Sequence, residues 1–143
     1  MEFDKYTIAL LILRNDAPEL SPEQDAALQD AHMAHFSDLH DAGHLVISGP
    51  VLGPPDGALR GLSILKVDPD ESFRLKNGDP AVRAGRYRVE AYPWVMPKGL
   101  LSFSPGRLPR SMAEAFGNPL SGEEAIRSTP APTVSIDDRR PMR

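Results

Sequence analysis

The chain contains no cysteine. That excludes disulfides, thiolate metal sites and cysteine nucleophiles, and it accords with a reducing compartment. No apolar run approaches the roughly 20 residues that a membrane-spanning helix needs. The opening stretch MEFDKYTIALLILRND is acidic at its start and holds only a short apolar run. It lacks the basic lead and small-residue cleavage site of a secretory signal. These features predict a soluble cytoplasmic protein with no membrane partner. An excess of one charge sign is also missing: Lys and Arg number 16 against 20 Asp and Glu, for a net charge of −4. With no basic run, the footprint of a nucleic-acid binder is absent.

What is present begins with an ordinary globular composition, 41% hydrophobic and 25% charged in 143 residues, a length suited to one domain. Proline is the excess, at 15 residues. Up to Trp94 the prolines fall between periodic segments; beyond it come MPKG, SPGRLPR, GNPLSG, STPAPT and RRPMR. The sequence therefore divides into a folded domain over 1–95 and a Pro-rich C-terminal extension over 96–143. The extension shows two short helical turns, SMAEAF and GEEAIR, and its composition predicts a segment that buries little and is extended or partly disordered. Leu100, Leu101 and Phe103 lie near enough to pack on the domain or on a partner subunit.

Within the domain, Tyr6–Arg14 is a short, continuous Ile/Leu run ended by a turn signal, which reads as a buried strand. Ser21, Pro22 and Gln24 form a helix start with a capping box, and Gly43 suits the position just past the helix end. HLVISGP and LRGLSILKV read as two further strands. Asp68, Pro69 and Glu71 repeat the start signal for a short helix through about Lys76. Asp79-Pro80 opens another turn, ended by Gly85, and RYRVEAYPW reads as a fourth strand. The order β-α-β-β-α-β is that of a ferredoxin-like α+β fold, a four-stranded antiparallel sheet with helices on one face. The other face needs cover, either from a second copy in a homodimer or from the C-terminal extension.

All four histidines, His32, His35, His40 and His44, fall in one stretch. On a helical wheel with His32 at zero, Leu28, Phe36 and Leu39 lie within about 40°. His32 is thus in the middle of the apolar stripe, and two readings fit it equally: a satisfied core residue, or a neutral imidazole available as a general base. His35 falls on the margin. A lone HxxH pair with no matching further ligand predicts no metal site. His40 and His44 lie at the helix C-terminus, where a solvated or capping role is expected.

The stretch AHMAHFSDLHDAGHLVISGP resembles the first helix and second strand of the YCII-related family, with His32, Leu39, Gly43, Gly49 and Pro50 matching in register. DPAVRAG, with Asp79, Pro80, Ala84 and Gly85, and the strand ending in Pro93-Trp94 match its later motifs, so that the resemblance covers about residues 4–95. It implies a dimeric α+β barrel of ferredoxin-like subunits. It also implies a His–Asp site that maps to His32 and Asp79, although Asp before Pro is also a standard helix cap. Ser48, Gly49 and Pro50 are candidate pocket residues beside it. Arg60, where the family has small residues, is a departure: it either binds an anionic group or faces solvent. No nucleophile accompanies the pair. The implied chemistry is proton abstraction on a small molecule without a cofactor, as in an isomerase or a dehydrochlorinase-like lyase. The alternatives are a non-catalytic small-ligand module using the same pocket, and a protein whose extension mediates interactions.

Overall fold

A computed structural model describes residues 1–103 and 106–117. The elements run β1 (Phe3–Leu13), α1 (Pro22–Asp41), β2 (Leu45–Pro50), β3 (Leu59–Leu65), α2 (Pro69–Asn77), α3 (Pro80–Arg83), β4 (Tyr87–Pro97) and α4 (Met112–Phe116). The four strands form one antiparallel sheet in the order β2-β3-β1-β4. This is the ferredoxin-like α+β arrangement expected from the element order.

Local chemistry sets the element ends. The Ser21 hydroxyl accepts from Gln24 N–H while the Gln24 side chain accepts from Ser21 N–H, so the box at the start of α1 is closed both ways. Gly43 turns the chain out of the helix at φ 82°, a conformation a β-carbon would strain. Asp68 caps α2 through Glu71 N–H, but the expected return bond is replaced: the Glu71 carboxylate pairs with Arg74. β4 runs three residues past Trp94, with Pro93 opposite Thr7 and Pro97 opposite Phe3. Proline read as a strand end in the sequence; an edge strand pairs on one side only and tolerates the missing N–H on the other.

Alternation divides the sheet into two faces. Thr7, Ala9 and Leu11 of β1 are buried under the helices, and with Leu39, Leu45, Leu65 and Val89 they make the core. One row across this face is small: Ser48, Ser63, Ala9 and Ala91 stand side by side. On the opposite face, Ile47, Ile64, Ile8 and Tyr92 form an apolar row across all four strands. No described helix covers it; Ile47 and Tyr92 are about half exposed, at 47% and 49%. At one corner Phe103 meets the ring of Tyr6 edge-on at 5.7 Å.

Residues 106–117 turn the other way, onto α1. Arg110 pairs with Asp38 at 2.7 Å, Met112 N–H donates to Asp30 at 2.9 Å, and Leu108 packs against the core. The first expected helical turn is α4; the second, GEEAIR, lies outside the described residues. No residue of 106–117 is buried, yet the segment is held to α1 by the Arg110–Asp38 pair, by the Met112–Asp30 bond and by the packing of Leu108. No described helix is long and apolar enough to cross a membrane.

Candidate active site

The apolar stripe of α1 turns His32 inward, leaving it 8% exposed. Its Nδ1 lies 2.6 Å from Oδ2 of Asp79. Asp79 precedes α3 and is wholly buried. Its other oxygen caps that helix, accepting from Ala81 N–H at 2.9 Å. One carboxylate thus does both jobs, capping and holding the imidazole. A carboxylate accepts only, so Nδ1 carries a proton, and in the neutral ring Nε2 then holds the lone pair. No buried side-chain N or O among the described residues lacks a partner. Nε2, which has no partner among the described residues, is therefore the edge of the ring that reaches open space. The ring is wedged by Phe36, with centroids 4.2 Å apart, and by Tyr87 at 6.0 Å.

That space is a cavity of about 410 Å³ between α1 and the ends of β2 and β3. This volume suits a ligand of one or two rings, at the small end of ordinary binding sites. Its walls are mainly apolar: Leu11 from β1, Met33 and Phe36 from α1, Tyr87 from β4. His32, Ser48, Gly49, Pro50 and Arg60 all line it; Asp79 does not, and stands behind the imidazole. The extension supplies a further wall, with Leu108, Pro109, Met112, Ala115 and Phe116 closing over the side next to α1.

Arg60, half-buried at the cavity wall, also holds its own loop. Its Nε donates to Gly57 O at 2.7 Å and its Nη2 to Pro55 O at 3.3 Å, so the guanidinium braces its own loop. Two of the remaining histidines, His35 and His40, also find partners. His35 Nε2 is 3.1 Å from Leu75 O. His40, expected in a solvated or capping role, lies between Leu45 O at 2.9 Å and Gly106 O at 2.8 Å and ties the extension to β2. Among the described residues no group of three or more His, Asp or Glu could hold a metal ion.

One residue of this region escaped the sequence reading. Lys76, on α2, has 0% exposure, while its neighbour Phe73 is 49% exposed. Its Nζ donates to Ser63 Oγ at 3.0 Å and sits 3.5 Å from the centre of the Phe36 ring. Burial pushes the ammonium down to about 7, against the opposing pull of Asp79. The faint sequence signal was Ser72 and Lys76 one turn apart on a helix with no apolar stripe.

No functionally curated protein matches the sequence. Among solved structures, it is similar to a 5-chloro-2-hydroxyhydroquinone dehydrochlorinase from Burkholderia phenoliruptrix AC1100 bound to 2,5-dihydroxybenzoquinone. The identity there is 19% and the TM-score 0.45, over 62% of this chain and 92% of that one. A dimeric protein of unknown function and ferredoxin-like fold from Bacteroides fragilis NCTC 9343 aligns at 14% identity and TM-score 0.42, over 64% and 95%. The model of the YCII-related domain matches residues 8–95, which span both His32 and Asp79, and the chain belongs to that family.

Proposed function

We propose that this protein is a small acid–base enzyme in which His32 Nε2 removes a proton from a small-molecule substrate held in the cavity, and returns it or releases a leaving group. The observation that carries this reading is the 2.6 Å contact of Nδ1 with a fully buried carboxylate, on a ring whose other edge meets the cavity. Asp79 fixes the tautomer and orients the ring, and it stabilises the imidazolium that forms, as the aspartate does in a serine triad. The step needs no cofactor: a C–H bond breaks, the proton passes to Nε2, and the electron pair enters the substrate. Reprotonation at another carbon is isomerisation; loss of chloride or hydroxide is elimination. Apolar walls with few polar groups favour a compact, ring-sized substrate. The uncovered row Ile47–Ile64–Ile8–Tyr92 supports a homodimer in which two sheets pack face to face.

The test is hydrogen–deuterium exchange at acidic carbons of a panel of cyclic ketones and hydroxyquinones in heavy water, followed by NMR. The wild-type protein should accelerate exchange for some members. His32→Asn should reduce it by about 10²-fold or more, the usual scale for a lost general base. Exchange unchanged in a folded His32→Asn protein rules the reading out. Binding without exchange leaves a small-ligand module.

A further inference from the structure

The proton-transfer chemistry of His32 leaves a second polar chain of the same cavity unused. It starts at Lys76, the largest fully buried side chain described. Lys76 has no ion pair among the described residues. Its charge is met by the Ser63 hydroxyl at 3.0 Å, by the face of Phe36, and at longer range by Asp79. Ser63 Oγ is in turn 2.8 Å from Ser48 Oγ, and Ser48 lines the cavity together with His32. The row of small residues beneath α2 gives the lysine its room; a large side chain at position 63 would close it.

Proton counting gives this chain a direction. An ammonium donates and cannot accept. When Lys76 donates to Ser63, Ser63 can give its own proton to Ser48 across the 2.8 Å contact, and the Ser48 proton is then left for an acceptor in the cavity. We propose that Lys76, acting through Ser63, sets Ser48 as a donor to negative charge that develops on a substrate oxygen, so that the site takes enolisable carbonyl compounds or phenols. This rests on the proposed role of His32 only for the source of that charge. As His32 Nε2 takes the C–H proton, the bonding pair moves through the carbonyl and its oxygen becomes an enolate, which accepts from Ser48 O–H. Full transfer moves one proton along each link, Ser48 to substrate, Ser63 to Ser48 and Lys76 to Ser63. The enol and a neutral amine result, and the reverse shift resets both. Lys76 does not line the cavity; it is a positioning residue, and Ser48 is the group that touches substrate. Neutral Lys76 can instead accept from Ser63, which reverses the chain and withdraws the donor. Burial holds the lysine near the pH where both forms exist. The groups facing it are Ser63 on β3, Phe36 on α1 and Asp79 before α3.

The probe is 4-nitrophenol, whose absorbance separates phenol from phenolate. Wild-type protein should bind the phenolate in preference to the phenol. Ser48→Ala and Lys76→Met should each lower that preference about tenfold or more, the scale of a lost hydrogen bond to a charged group. Ser63→Ala, which removes one oxygen and keeps the lysine, should lower it as much, and Ser63→Thr should restore it. The Ser63→Ala loss should persist in a His32→Asn background, which separates this donor from the base. The proposal is overturned if the wild type shows no phenolate preference, or if Ser63→Ala retains it while Lys76→Met loses it. The second result would mean that the lysine acts through space alone.

Discussion

Taking an ammonium out of water costs several kcal/mol unless its charge is answered. At Lys76 the answer is one hydroxyl, one ring face and a carboxylate beyond ion-pair distance. The folded protein therefore holds that proton more weakly than the unfolded chain does. Between about pH 7 and the ordinary lysine range the unfolded state binds more protons, so stability rises with pH through this window. Lys76→Met, which fills the same space, should stabilise the protein by about 1–4 kcal/mol below pH 7. The gain should shrink as pH rises towards 10, as read by urea unfolding at several pH values. A gain that does not vary with pH would show that the fold holds this proton as firmly as the unfolded chain does. Asp79 is the converse case, a buried carboxylate answered at both oxygens. Asp79→Asn keeps the cap and loses the charge. It should slow any exchange catalysed by His32 with little change in substrate affinity, a split that separate kcat and KM measurements will show.

At the scale of elements, α1 is the organiser. Its inner stripe carries His32, its C-terminal turn carries His40, and its outer side carries Asp30 and Asp38, which hold the extension. Both ring nitrogens of His40 face carbonyl oxygens, one on β2 and one on the extension. Removing the ring frees Gly106 and the segment after it. His40→Ala should raise the rate of tryptic cleavage after Arg107 roughly threefold to tenfold, the effect of one lost hydrogen bond on the open population. It should also ease ligand exchange, because Leu108 through Phe116 wall the cavity. The starts and ends of α1 were legible in the sequence because a cap, a capping box and a terminal glycine are local chemistry. So were those of α2, which opens at Pro69 behind the Asp68 cap, but not its facing: its buried positions are Ser72 and Lys76 while Phe73 is exposed, the reverse of the usual stripe, because a polar chain needed that side.

At the scale of the molecule, one face of the sheet is served by helices, and on the other Phe103 covers only the Tyr6 corner among the described residues. A row such as Ile47–Ile64–Ile8–Tyr92 left in water is unusual for a monomer. Ile47 is on an edge strand and half exposed, so a charge there harms a monomer little and a packed pair of sheets greatly. Ile47→Glu should convert the proposed dimer to monomer at micromolar concentration in sedimentation velocity, with the thermal transition of the subunit retained. A mass independent of this substitution would mean that the face is covered in another way.

By itself, the sequence determined the order of elements, the caps that start and stop them, and the placing of His32 on an inward stripe, because periodicity and end chemistry act within a few residues. The match of Asp79 to His32 came from family resemblance, since 47 residues of chain separate them and no local rule spans that distance. Only the tertiary structure decided that Asp79 stands behind the ring and outside the cavity, that Arg60 braces its loop, and that the extension folds over α1. It alone showed Lys76 to be buried. Each of these depends on which surfaces meet when the helices close on the sheet, and a side chain's burial is a property of its neighbours in space.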